Sequence, residues 1–359
     1  MANTRTIRWR FEHAVDAFGD YRDRWDKLNA AQGDHVLLDT DFVEPLIRHF
    51  APRDVLLAIA DDEPPVGLGL VVKTGTGFWQ TFQPSQAPLG LVVLQGDCDA
   101  EAAVRGLMRS LPGHCLGLAI LCQDPDATRF VHSGTAPQIE VLDYITTARL
   151  PVAGTFDDYW RARSRNLTHN LARQRRRLAE RGGLLELVIE RRAEDVAHAI
   201  AEYGRLEGSS WKAAAGTAIT ADTVQGRFYT DVLERFCRRG DGVIFRLLMD
   251  GRTIASTLCV ERGGTLVMLK TAYDKDVEGS PGLLIQQDLL SQVFSAGRTQ
   301  VIEYYGRVMD WHTKFTTDVR QMFHVNYYRH PWVSRGRQHL KAAVSALRGA
   351  MPAGAGARA

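Results

Sequence analysis

One order of elements occurs twice along this chain, and that repeat narrows its possible folds more than any composition figure does. The first copy opens with the strand-like TIRWRFE, Thr6 to Glu12, followed by a helical stretch from Asp16 to Asn29 with Phe18, Tyr21, Trp25 and Leu28 at helical spacing. A second helix spans Asp41 to Phe50. DVLLAIA, VGLGLVVK and FWQTF then read as three antiparallel strands joined by a Pro-containing turn and a GTG turn. A loop leads to a helix from Ala100 to Leu111, a buried strand CLGLAIL and a last strand, IEVLDYITTARL, ending at Pro151.

The second copy begins with LLELVIERR, Leu184 to Arg192, and continues with helices from Glu194 to Glu207 and from Asp222 to Arg239. GVIFRLLM, TIASTLCVE and TLVMLKTAY form its meander. Asp250-Gly251 and Gly263-Gly264 make the hairpin turns, because both dipeptides tolerate positive φ. After Ser280-Pro281-Gly282 come a helix to Ala296, the strand QVIEYYG, a short helix around Trp311 and a strand, FHVNYYR. Both halves read β-α-α-β-β-β-α-β and end on one more strand.

Between them lies FDDYWRARSRNLTHNLARQRRRLAER, read as one long basic helix from Phe156 to Arg181. Thr155 and Asp158 offer a capping box, and Leu167, Leu171 and Leu178 form an apolar stripe. The expected divisions are residues 1–151, 152–182, 183–333 and a basic, low-complexity tail, 334–359. A chain of 359 residues accommodates two ordinary cores. Its net charge of +2 hides an uneven distribution, with eight arginines from Arg161 to Arg181 and no acid after Asp318. The five cysteines form no CxxC pair and have no histidines at zinc spacing, so buried, reduced thiols of a cytoplasmic protein and no metal site are expected. No apolar run approaches the ~18 residues that span a bilayer. GxSxG, HExxH and P-loop patterns are absent, which argues against serine hydrolase, zinc protease and nucleotidase chemistry.

The doubled element order resembles the topology of GNAT acyltransferases. The expected fold is therefore α/β, with α+β mixed sheets, as two tandem GNAT-like domains joined by the basic helix. The linker helix, Ser210-Trp211, Tyr273-Asp274, Ser280-Pro281-Gly282-Leu283-Leu284 and the Lys314 segment together resemble the cellulose-biosynthesis acetyltransferase-like branch, related to Fem-type double-GNAT transferases. The resemblance runs from about Thr155 to Arg329. It implies acetyl-CoA or a longer acyl-CoA as donor, the turn at Ser280 in place of a Gly-rich phosphate loop, and a site role for Lys314. Here His312-Thr313-Lys314 stands where that branch shows a Tyr-Lys pair.

Acyl transfer from coenzyme A needs a pyrophosphate cradle, a strand edge for the pantetheine arm and a route for a proton. A helix N-terminus supplies unpaired N–H groups and the positive end of a dipole. Gly279, Ser280, Gly282 and Leu283 lie where those amides would point. Pro281 sets the turn without losing a donor, and Gly282 admits close approach. The first copy's equivalent, QPSQAPLG, has two prolines and an LVVLQGD insertion, so that copy is expected to serve as scaffold and acceptor wall.

TLVMLKTAYD, with Thr271, is the expected pantetheine strand. Tyr273 and Asp274 stand at its cofactor end, or serve only as turn chemistry. On the next strand Glu303 and Tyr305 share a face and Tyr304 takes the other. Glu303 is the favoured general base and Tyr305 the favoured acid for the thiolate, with Asp274 a competing base. Trp211 either walls an acceptor pocket or is a buried tryptophan between domains. His169 and His312 read as surface or structural residues. The arginine run, Arg165 included, suits phosphates of coenzyme A, a polyanionic acceptor or RNA, or is a solvated face. Arg335, Arg337, Lys341 and Arg348 make the segment after Asp318 basic enough to touch an anionic membrane surface.

The leading expectation is transfer of an acyl group to an amine or hydroxyl of a small molecule or a saccharide precursor, the sugar entering only through the resemblance. A Fem-like aminoacyl-tRNA-dependent transferase is the first alternative. A non-catalytic partner in polysaccharide synthesis is the second.

Overall fold

The computed structural model describes residues 7–60, 63–130, 136–180, 183–208, 219–220 and 222–337. In chain order the first copy contains β1 (Trp9–His13), α1 (Ala14–Ala17), α2 (Arg22–Ala31), α3 (Thr40–Phe50), β2 (Leu56–Ala60), β3 (Gly67–Gly75), β4 (Phe78–Thr81), β5 (Val92–Leu94), α4 (Ala100–Ser110), β6 (Gly117–Gln123) and β7 (Ile139–Pro151). The linker forms α5 (Phe156–Arg161) and α6 (Arg165–Glu180). The second copy contains β8 (Leu185–Glu190), α7 (Ala193–Gly208), α8 (Val224–Arg238), β9 (Gly242–Met249), β10 (Arg252–Arg262), β11 (Thr265–Tyr273), α9 (Pro281–Ala296), β12 (Val301–Glu303) and β13 (Val319–Tyr328). The mixed α/β architecture and doubled element order expected from the sequence are present.

The linker is two helices, not one. Thr155 caps α5 by accepting the Asp158 amide at 3.1 Å, as the sequence predicts. Ser164 then starts a new helix, its hydroxyl accepting the Leu167 amide at 3.3 Å. Arg163 at the break donates to the Phe315 carbonyl at 2.7 Å, tying the linker to the second copy.

All thirteen strands of the described residues belong to one sheet, in the order β1-β2-β3-β4-β6-β13-β7-β12-β11-β10-β9-β8, with β5 beside β3. The two copies exchange their last strands. The first copy's β7 pairs with β12 and β13, while the second copy's β13 lies between β6 and β7. The stretches 1–151 and 183–333 thus each give their closing strand to the other's half of the sheet. One face of the sheet carries a core common to both copies. In it Trp25, Phe42 and Leu46 from α2 and α3 join Tyr203, Phe228 and Phe236 from α7 and α8. On the other face the cores are separate: one lies under α9 and the linker, the other under α4.

Candidate active site at a strand fork

β11 and β12 run parallel for only three rungs, Thr265 to Val267 against Val301 to Glu303. Beyond Glu303 they diverge, which is why the strand expected over 300–306 stops early. β11 also bulges: Leu258 pairs with Lys270 and Cys259 with Met268, leaving Leu269 unpaired with β10. The fork opens into a cavity of about 620 Å³ that reaches the first turn of α9. Lys270, Arg307 and Lys314 line it and, among the described residues, no carboxylate does, while Met268, Leu283, Met309 and Trp311 give it an apolar side.

At the helix end, Pro281 is the first helical residue and Gly279 has φ +105°, a conformation that favours glycine. A Cβ on Gly282 would lie 2.9 Å from the Tyr273 ring, so this glycine lets the ring close over the turn. Gly279, Ser280, Gly282, Leu283, Thr271, Tyr273 and Lys314 all line the cavity. Gln174 of α6 accepts the Ser280 amide at 3.0 Å through Oε1, which turns its own NH₂ into the available donor at that corner. Arg175 pairs with Asp288 of α9 and fixes the linker against that helix.

Glu303, Tyr305 and Asp274 do not line this cavity. Asp274 is a buried turn residue: one oxygen accepts from Arg252 at 2.7 Å and the other from the Asp276 amide at 3.0 Å. Arg165 is exposed at the start of α6, away from the cavity wall. Trp211 lies outside the described residues, as do Lys341 and Arg348.

Of the adjacent Tyr304 and Tyr305, Tyr304 is the one that lines the cavity. It shares its face with Ile302 and α9, and its hydroxyl accepts from Gln286 at 2.9 Å. Burial pushes its pKa well above the ordinary tyrosine value, so it stays a proton donor. His312, expected at the surface or as a structural residue, lines the cavity. Its ring stacks on Trp311 at 3.7 Å, and its Nδ1 accepts the Met309 amide at 2.9 Å. That bond fixes a neutral ring with its proton on Nε2, and burial lowers its pKa. Strand alternation had already separated Tyr304 from Glu303 and Tyr305; which set meets the cavity depends on the face α9 covers.

On the opposite face, at the last rung of the fork, Glu303 meets residues from both copies. Arg320 of β13 donates to Glu303 at 2.8 Å and to Asp124 at 2.8 and 2.5 Å. Tyr305 donates to Asp124 at 2.8 Å, and its hydroxyl lies 2.7 Å from His35 Nε2. His35 Nδ1 accepts the Leu37 amide, so His35 is the donor to Tyr305, and burial lowers its pKa to about 4. Tyr305 holds φ +32°, a strained value for a non-glycine residue. Burial pushes Glu303 up to about 7 against the pull of Arg320. Burial also opposes ionisation of Asp124, yet the Arg320 guanidinium holds its pKa below the usual carboxylate value.

The first copy has the same parallel pair, β4 with β6, but its fork is filled by the chain itself. The Leu91 carbonyl accepts the Leu70 amide, β5 pairs with β3, and the Gly90 amide donates to the Cys122 carbonyl at 3.1 Å.

Residues 165–313 match the family model described as an acetyltransferase (GNAT) domain. No curated protein matches the chain. Among solved structures, a conserved protein of unknown function from Bacteroides thetaiotaomicron superposes with a TM-score of 0.58 at 10% identity, covering 86% of this chain and 97% of that one. FemX gives 0.53 at 12% identity, over 86% and 96%. L-PGS from Bacillus licheniformis gives 0.52 at 11%, over 86% and 92%. At such identities the likeness is one of fold. With the family match over 165–313, the chain carries a GNAT acetyltransferase domain and is an acyltransferase of the GNAT type.

Proposed function

We propose that the chain transfers an acyl group from acetyl-CoA or a longer acyl-CoA to an amine or hydroxyl of a small molecule or a saccharide precursor. The observation that supports this best is the cavity itself: it begins at the fork, is lined among the described residues by three cations and no carboxylate, and ends at the α9 N-terminus. In this reading Gly279, Ser280, Pro281, Gly282 and Leu283 form the pyrophosphate cradle, aided by Lys314 and Arg307. Thr271 and the unpaired edge of β11 take the pantetheine arm, and Tyr273 covers the turn.

The acceptor approaches from the Glu303 face. Glu303 takes its proton as the C–N or C–O bond forms and the C–S bond breaks, and Tyr304 protonates the thiolate in place of Tyr305. The first copy is scaffold and acceptor wall. The saccharide and the cellulose-biosynthesis-like branch rest on the sequence resemblance alone.

Calorimetry with coenzyme A, and thiol release from acetyl-CoA and longer acyl-CoAs over amines, amino sugars and hydroxyl acceptors, test this reading. Micromolar binding and acceptor-dependent release are expected; absence of coenzyme A binding sinks it. An aminoacyl-tRNA donor is the second reading, favoured by the exposed arginines Arg165, Arg173, Arg176 and Arg177 on the helix that reaches the cradle. It requires tRNA binding that weakens steeply with salt, because phosphate contacts release counterions. No tRNA complex at low salt removes it.

A further inference from the structure

We infer that Asp124, a residue of the first copy, is a positioning residue for the second copy's chemistry: it clamps Arg320 and so leaves Glu303 able to take a proton. This rests on the reading of Glu303 as the acceptor-side base. Two carboxylates compete here for one guanidinium, and the division is unequal. Asp124 receives the Arg320 Nε–H and an Nη2–H, while Glu303 receives only a share of Nη2. The third nitrogen, Nη1, is buried and has no partner among the described residues. A bidentate pair is the stronger one, so Asp124 holds the guanidinium through two bonds and Glu303 through one.

Asp124 is fixed for that task. The Tyr305 hydroxyl and the Asp126 amide both donate to it, and His35 holds the Tyr305 oxygen from behind. Its side chain is 1% exposed, against 8% for both Arg320 and Glu303, so water does not screen the competition. The other groups around Glu303 are Arg149 of β7, paired with Asp126 and Asp318, and Tyr305 itself. Arg149 favours ionisation of Glu303, and Asp124 opposes it. Removing the charge at 124 therefore acts twice in one direction: it deletes a like charge and releases Arg320, with its unused Nη1, to grip Glu303.

The test is the carboxyl titration of Glu303, followed by NMR in the 359-residue chain labelled at glutamate side-chain carbons and assigned with Glu303→Gln. The wild-type midpoint is expected near 7. Asp124→Asn is expected to lower it by about one pH unit or more, and Asp124→Glu, which keeps the charge, to leave it in place. Tyr305→Phe takes a competing donor from Asp124, draws Arg320 closer to it and moves the midpoint up. Loss of a merely structural residue would not move the midpoint in these opposed directions. An unmoved midpoint in Asp124→Asn overturns the inference, and if that variant does not fold, an unmoved midpoint in Tyr305→Phe does. Coenzyme A calorimetry on the same samples keeps the two readings apart. A wild type that does not bind coenzyme A defeats the acyltransferase reading, while one that binds but whose variants leave Glu303 unmoved defeats only this inference.

Discussion

Gly282 serves two neighbours at once, and this makes it a sharp residue-scale test. As a residue in the first turn of α9 it costs helix stability, and replacing glycine by alanine in a helix contributes about 0.5–1 kcal/mol. Its missing Cβ, however, is what lets the Tyr273 ring sit over the turn, since a methyl group there would lie 2.9 Å from Cδ1. Gly282→Ala is therefore expected to keep or raise the melting temperature while weakening coenzyme A about tenfold, or ~1.4 kcal/mol. An unchanged dissociation constant by calorimetry would remove Gly282 from the cradle. The turn was legible in the sequence because Ser-Pro-Gly before an apolar helix has a local physical meaning. The face of Tyr304 was not, because two residues on opposite sides of a strand carry equal local signals until the covering helix is placed. The place of His312 at the cavity was hidden for a related reason: its stack on Trp311 is fixed only by the path of the loop beside the fork.

At the scale of elements, the difference between the copies lies in what fills each fork. In the second copy the gap beside β11 is a cavity, and in the first copy the segment through Gly90 and β5 occupies it with main-chain hydrogen bonds. Gly90 is the tightest point of that filling, since a Cβ there would lie 2.4 Å from both the Leu121 carbonyl oxygen and Gln123 Nε2. Overpacking of this kind costs about 1–3 kcal/mol. Gly90→Ala is expected to lower the melting temperature by several degrees and to leave coenzyme A affinity unchanged. A fall in affinity without a fall in stability would place a donor site in the first copy instead. The sequence marked the QPSQAPLG stretch as different but did not reveal β5, because three apolar residues inside a loop carry no period. The break at Ser164 was hidden similarly: Ser-Arg-Asn within a basic run reads as a tolerable interruption until Ser164 caps α6.

For the whole molecule, the exchange of β7 and β13 decides how the chain unfolds. Every strand partner of β7 belongs to the second half, and both partners of β13 belong to the first. Hydrophobic alternation identifies such strands from sequence but is silent on their partners, so 1–151 and 183–333 read as two independent units. A piece ending at 151 would leave the 13 residues of β7 with no ladder at all, and unpaired buried amides are costly. The common core and ion pairs such as Arg235 with Glu44 and Arg239 with Asp39 join the halves further on one face. Neither half can lose its structure without stripping strands and core from the other. Scanning calorimetry on the intact chain is therefore expected to show one transition, with the calorimetric enthalpy close to the van't Hoff value. Two resolved transitions, or a stable folded fragment 1–151, would contradict this coupling. The same coupling explains how a first copy with its own fork filled still meets the end of the second copy's fork: β13 brings Arg320 to Asp124, and the last rung of β12 brings Glu303 to the same guanidinium.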